Sequence, residues 1–177
     1  MTRRTITAAG LLAIVMAASA AGAALAQVGE PATAVTNPNT QEVSDTLVPQ
    51  ADAYAVYAEH IRALNACDWV AIMAQYPDDA EIHLSGGQVV RGREAIGELF
   101  AGFVLPAEEG GLCGITFTEE SRFEVGTTEN VQWVAEADFL AEPYRGSDAY
   151  VTDGQYMAAM VSTFEGTDLV MAAAAAE

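Results

Sequence analysis

Hydrophobic spacing changes near the middle of the chain, from a helical period to a strand period. Across residues 53–103, apolar side chains recur every three or four positions, as on one face of a helix. From Ile115 onward they alternate with polar side chains, as in half-buried strands. Helices followed by a run of strands, without regular alternation between the two, indicate an α+β fold with an antiparallel sheet.

The first half of the pattern predicts three helices and one hairpin. The first helix has its buried face at Ala53, Tyr57, Ile61 and Leu64, and the third covers residues 93–103. A shorter helix between them has Asp68 as its N-cap and ends at Pro77. Between the second and third helices, Gly86-Gly87 is typical of a hairpin that joins strands over 81–85 and 88–90.

The second half predicts an antiparallel meander. Strands are expected over 115–125, 131–139 and 155–164, with a loop over 140–154 that contains Pro143, Gly146 and Gly154. The Ala-rich tail favours a helix by propensity. We nevertheless predict a last strand from Leu169, because Gly166-Thr167-Asp168 is typical of a hairpin turn and the preceding strand needs a partner.

Residues 1–26 have the layout of a secretory signal peptide. Arg3 and Arg4 precede an uncharged stretch over 8–26, which ends in Ala24-Leu25-Ala26. A membrane anchor is the alternative, but this stretch consists mostly of Ala and is weakly apolar for a spanning helix. We expect cleavage after Ala26 and export to the periplasm or the medium, by either the Sec or the twin-arginine route.

The mature chain divides into a linker and one domain. Residues 27–48 are rich in Thr, Ala, Asn and Pro and contain no aromatic side chain, so we predict a flexible linker there. The compact domain is expected over residues 49–177.

The charge of the chain excludes several classes of function. Its formal charge is −18, and all seven basic residues are Arg, because the sequence contains no Lys. Nucleic-acid binding needs clustered cations, and Schiff-base chemistry needs a Lys, so neither is expected. Cleavage after Ala26 would remove two Arg and leave a mature chain that anionic membranes repel.

Three segments resemble the SnoaL-like group of the nuclear transport factor two-like superfamily. They are Ala63-Leu64-Asn65-Ala66-Cys67-Asp68-Trp69, Tyr76-Pro77-Asp78-Asp79-Ala80-Glu81-Ile82 and Val90-Arg91-Gly92-Arg93-Glu94-Ala95-Ile96. The resemblance implies a cone, in which a strongly bent mixed or antiparallel sheet wraps around a long helix and encloses an apolar pocket. It also implies a homodimer packed through the outer face of the sheet. The group includes steroid isomerases, polyketide cyclases, dehydratases and proteins without known catalysis, so the fold alone does not assign a function.

The resemblance also identifies positions for proton transfer. Steroid isomerases of this superfamily use a Tyr, an Asp base and a further acidic residue, and these positions correspond to His60, Leu84 and Met160 here. Leu and Met cannot transfer a proton, so only His60 retains such chemistry. His60 is either a general acid or base, with Asp138 or a Tyr as its partner, or a hydrogen-bonded residue at the edge of the core. Asp138 itself faces the pocket or, as the alternation of its strand favours, solvent.

Large apolar side chains are expected to serve both the core and the pocket wall, which periodicity does not distinguish. We predict a pocket lined by Tyr57, Trp69, Met73, Leu84, Phe100, Trp133 and Met160.

Neither a metal nor another cofactor is predicted. Glu81 and His83 lie on one face of a strand, but two ligands are too few for a zinc site. The two cysteines, Cys67 and Cys113, either form a disulfide or serve as separate small apolar residues. The disulfide requires their α-carbons to lie within about 7 Å of each other.

Three hypotheses of function remain. The first is a protein that binds a small, largely apolar molecule in the cone. The second is a lyase, isomerase or cyclase-type enzyme that uses His60. The third is a non-catalytic dimeric interaction module with a filled cone. An open pocket with His60 and a second polar group would favour an enzyme, and a purely apolar one would favour binding.

Overall fold

The computed structural model describes residues 29–173 and shows a bent sheet folded over three helices. The predicted signal peptide over 1–26 lies outside the described residues. Within residues 29–173, no helix has the length and apolar character needed to cross a membrane.

The three predicted helices are confirmed. They are α1 (Ala53–Asn65), α2 (Trp69–Met73) and α3 (Arg93–Phe103). The carboxylate of Asp68 accepts a 3.0 Å hydrogen bond from the Ala71 N–H, so it caps α2 as its sequence position predicts. Asp52 caps α1 in the same way, through a 2.8 Å hydrogen bond from the Ala55 N–H.

Within residues 29–173, eight strands form two sheets. The first two are β1 (Glu30–Thr36) and β2 (Val43–Leu47), which pair as a separate hairpin. The six-stranded sheet has the order β4-β3-β8-β7-β6-β5 and contains β3 (Glu81–His83), β4 (Val89–Arg91), β5 (Thr116–Val125), β6 (Thr128–Glu136), β7 (Tyr144–Thr152) and β8 (Met157–Ser162). Its pairs are antiparallel except β3 with β8, which is parallel. The α+β prediction is therefore confirmed.

Two irregularities of register occur in the large sheet. One lies between Glu119 and Ser121 in β5, and the other between Val151 and Thr152 in β7. Such bulges bend a strand and increase its twist. The sheet is curved but unclosed, with its inner face toward α1 and α3, and together these elements form the cone.

The N-terminal hairpin corrects one prediction, because residues 30–47 are ordered strands and not the flexible linker expected over 27–48. Val35 and Leu47 are buried, and Val35 belongs to the main core. The domain therefore begins before residue 49. The linker prediction was wrong because contacts with α2 and α3, and not local apolar periodicity, hold this hairpin.

Two predictions for the second half of the chain are also wrong. Residues 144–152 form β7, where a loop was expected. Gly146 misled the prediction, because a Gly inside a strand pattern often marks an interruption of the strand. Here the Gly is required by a neighbour, since a Cβ at this position would lie 2.4 Å from Cζ2 of Trp133. The last strand is absent from the described part of the tail, where Gly166–Asp168 is a short 3-10 turn and Met171 forms one isolated bridge with Leu140.

A disulfide joins Cys67 and Cys113, whose α-carbons lie 5.6 Å apart. Cys67 follows α1 directly, and Cys113 belongs to the loop between α3 and β5. The bridge therefore ties this loop to the end of the central helix.

Candidate functional site

An open cavity of about 310 Å³ lies inside the cone. α1 and α3 border it on one side and the inner faces of β6, β7 and β8 on the other, while Gly110, Leu112 and Gly166 belong to its rim. Its lining is mostly apolar and includes six aromatic residues, Phe100, Phe103, Phe117, Trp133, Tyr150 and Phe164. The cone is therefore not filled by its own side chains.

Four of the seven residues predicted to line the pocket do so. Leu84, Phe100, Trp133 and Met160 border the cavity. The other three, Tyr57, Trp69 and Met73, are buried in the core and do not line it.

These three belong to the core because of where their helices place them. Trp69 Nε1 donates a 2.9 Å hydrogen bond to the Gly97 carbonyl, so its indole fills the space between α2 and α3. Met73 lies within 3.7 Å of the position that a Cβ of Gly97 would occupy. The Tyr57 hydroxyl is directed to Glu119 on β5, at 3.0 Å. The prediction for these residues was wrong because helical spacing marks a buried side without showing which neighbour covers it.

His60 lies in the wall of the cavity and is fully buried. Its ring centroid lies 5.6–5.8 Å from those of Tyr76, Phe100 and Tyr150. Within the described residues, neither ring nitrogen has a hydrogen-bond partner. Burial lowers the pKa of His60 to about 3, so the imidazole is neutral at physiological pH and retains one donor and one acceptor.

Asp148 on β7 is the polar residue that the sequence analysis missed. Its Oδ2 accepts a 3.1 Å hydrogen bond from the Tyr150 hydroxyl, and its Oδ1 accepts one of 3.1 Å from the Thr163 N–H. Burial raises the pKa of Asp148 above its ordinary value, although hydrogen bonds with Ser162, Thr163 and Tyr150 act in the opposite direction. A period-two pattern formed by Asp148, Tyr150 and Thr152 was the signal for an inward-facing strand, and Gly146 obscured it.

Asp138, the other predicted catalytic residue, does not belong to the site. It lies exposed in a turn after β6, which ends at Glu136. The predicted strand was therefore too long, and its alternation does not extend to Asp138. No contact brings Asp138 to His60 within the described residues, and the carboxyl that borders the cavity is Asp148.

Glu81 and His83 form a surface pair. His83 Nε2 lies 2.9 Å from Glu81 Oε2, and Arg91 donates to the other carboxylate oxygen at 2.9 Å. Across residues 29–173, no group of three or more His, Cys, Asp or Glu side chains is arranged to hold a metal ion.

A bent α+β cone with an apolar pocket between its helices and sheet is the nuclear transport factor two-like fold. The chain adopts this fold, as the three segments resembling that superfamily implied. No protein-family model and no curated protein matches the sequence.

Solved structures of similar shape include an NTF2-like protein of unknown function from Cytophaga hutchinsonii. It has a TM-score of 0.52 and 14% identity, over 67% of this chain and 94% of that one. The epoxide hydrolase/cyclase-like enzyme SalBIII of salinomycin pyran ring formation has a TM-score of 0.52 and 21% identity, over 67% and 95%. An LEH-like epoxide hydrolase from Mycobacterium tuberculosis has a TM-score of 0.51 and 14% identity, over 66% and 85%. At these identities the likeness establishes the fold and not the activity.

Proposed function

We propose that the protein binds a small, largely apolar molecule in the cone cavity. The observation that carries this proposal is an open space of about 310 Å³ whose lining is mostly apolar and aromatic. Burial of apolar ligand surface in such a cavity drives binding, and a few polar groups set the orientation of the ligand. Asp148, a partly buried residue of the lining, is the polar group suited to that role.

Binding of an uncharged fluorescent dye tests this proposal. N-phenylnaphthylamine brightens when it leaves water, so we expect saturable enhancement with the purified protein. Leu99→Trp should abolish most of the signal, because Leu99 lines the cavity and is half-buried there. The larger side chain should take up space that the dye needs.

Glu98→Trp is the matched control for this experiment. It adds the same side chain to α3, but at an exposed position that does not border the cavity. Equal dye binding by the Leu99→Trp and Glu98→Trp variants would contradict binding in the cone.

Proton transfer on the bound molecule, as in a lyase or isomerase, is the second candidate function. The cavity is bordered by His60 and a second polar group, Asp148, which favours an enzyme, although both ring nitrogens of His60 are buried. Burial raises the pKa of Asp148 and so makes its carboxylate a better proton acceptor. In this proposal Asp148, and not the neutral His60, transfers the proton. A carboxyl NMR titration tests it, since an ordinary Asp midpoint for Asp148 would contradict the role.

We infer that the protein works after export. The disulfide between Cys67 and Cys113 supports this, because such bridges persist mainly in oxidising compartments. Mass spectrometry of the protein from its own periplasm or medium should give a mature N-terminus at Gln27. An intact Met1 in the exported protein would contradict cleavage.

We further propose that a second copy of the chain covers the outer face of the sheet. Phe123, Asn130, Ala149 and Val161 form one cross-strand row there, by the register of β5 through β8. The side chains of Phe123 and Val161 are 64% and 46% exposed, so the row presents apolar surface that self-association would remove from water.

A further inference from the structure

Asp148 lines the cavity as its one charged residue among residues 29–173. Its carboxyl accepts hydrogen bonds from Tyr150 and Thr163 and interacts with the Ser162 hydroxyl, but it forms no ion pair within the described part of the chain. A partly buried carboxylate without a cation is costly, because its interactions with water are only partly replaced. The chain therefore places one uncompensated negative charge at an apolar cavity.

The basic residues of the described chain all interact with groups other than Asp148. The sequence has no Lys, and residues 29–173 contain five Arg. Four of them form ion pairs with carboxylates that do not line the cavity, namely Arg62 with Glu59, Arg91 with Glu81, Arg122 with Glu129 and Arg145 with Glu120. Arg93 donates to backbone carbonyls and to Ser44. A cation for Asp148 would thus have to enter the cavity from outside.

Aromatic rings are the second feature of this cavity. The ring of Phe164 lies among four other aromatic rings. Its centroid is 5.6 Å from that of Tyr144, 6.1 Å from that of Phe103, and 6.2 Å from those of Phe117 and Trp133. Aromatic faces attract cations through their quadrupole, most strongly where water is displaced. A formal charge of −18 also raises the local concentration of cationic solutes.

We propose that the ligand of the cone cavity is an organic cation, a protonated or quaternary amine on an apolar body, whose charge pairs with Asp148 beside the aromatic lining. This inference rests on the proposed binding function and specifies its ligand class. An anionic ligand would meet repulsion from Asp148, and a neutral one would leave the carboxylate without a counter-charge. Burial raises the pKa of Asp148, which agrees with the absence of a neighbouring cation that would favour the ionised carboxylate.

Calorimetry with two probes of similar size tests the ligand class. Benzyltrimethylammonium carries the charge, and benzylacetone is a neutral ketone. At about pH 8, well above the ordinary pKa of a carboxyl, and at low salt, we expect the cation to bind about tenfold more tightly.

Two variants locate the source of that preference. Asp148→Asn should abolish the preference for the cation, whereas Asp138→Asn, which makes the same charge change at an exposed turn, should keep it. Phe164→Leu should weaken binding of the cation severalfold and that of benzylacetone much less, because it replaces the ring and retains an apolar side chain. This second variant keeps the inference testable if Asp148→Asn fails to fold.

The outcomes separate this inference from the proposed function. Equal or tighter binding of benzylacetone, unchanged by Asp148→Asn, would overturn the cationic ligand and leave binding in the cone intact. If neither probe binds and Leu99→Trp does not alter dye binding, both proposals are wrong. Equal effects of the Asp148→Asn and Asp138→Asn variants would show that net charge, and not the site, attracts the cation.

Discussion

The guanidinium of Arg93 donates a 2.6 Å hydrogen bond to the backbone carbonyl of Tyr76. The same group donates to the Met73 carbonyl, at the end of α2, and to the Thr33 carbonyl of β1 at 2.9 Å. A fourth contact reaches the hydroxyl of Ser44 on β2, at 2.8 Å. The side chain of a residue that is only 2% exposed thus joins the N-terminal hairpin to α2 and α3.

Arg93→Ala should lower the free energy of unfolding by about 3 kcal/mol, because it leaves several buried acceptors without a donor. Urea denaturation measures this loss, and proteolysis of residues 30–47 should become faster. Arg91→Ala is the control, since Arg91 lies on the surface, where it pairs with Glu81. A loss for Arg93→Ala no larger than that of the control would contradict the role of Arg93 in holding the hairpin.

Removal of the disulfide should destabilise the domain. The Cys67–Cys113 bridge has a sequence separation of 46 residues, and a loop of that length is worth about 4 kcal/mol in the chain-entropy model. Thermal unfolding with and without dithiothreitol measures the effect. The Cys67→Ser/Cys113→Ser double variant should match the reduced protein and show no further response to dithiothreitol. An unchanged melting temperature on full reduction would contradict this expectation.

His60 should make the fold sensitive to acid. Its pKa of about 3 in the folded state lies below the ordinary value, so the unfolded chain takes up a proton that the folded chain excludes. Stability from this residue is complete above about pH 6.5 and declines as the pH falls toward 3. Between pH 7 and pH 5 the loss should be about 2 kcal/mol.

The His60→Leu variant tests the source of that acid sensitivity. Urea denaturation at both pH values should show that the variant lacks this component of the decline. Parallel declines of the native protein and the variant would mean that His60 is not the group responsible.

Substitutions on the outer face of the sheet should dissociate the proposed homodimer. Phe123→Glu and Val161→Glu each place a carboxylate in the apolar cross-strand row, where burial against a second copy would be costly. Sedimentation equilibrium should change from twice the chain mass to the chain mass. Val170→Glu, at an exposed position outside the strands, is the control and should leave the dimer intact. A native protein that is monomeric at all concentrations would refute the proposal.

Sequence reasoning succeeded where local signals and tertiary contacts agree. Asp68 caps α2, and the interval from Arg93 to Phe103 is a helix with its predicted bounds. The prediction of a loop was wrong at β7. A Gly in a strand pattern suggests a loop, but here the ring of a neighbouring residue leaves no room for any larger side chain. Trp133 supplies that ring, and it belongs to another strand.

The sequence by itself determined the α+β class and the helices, since periodicity and caps are local properties. Only the tertiary structure decided that β1 and β2 belong to the domain, because Arg93 of α3 binds both strands and Val35 of β1 packs into the main core. It also decided which carboxyl borders the cavity. Both Asp138 and Asp148 lie in the second half of the chain. Asp138 is exposed because β6 ends before it, whereas the register of β7 places Asp148 beside the aromatic pocket.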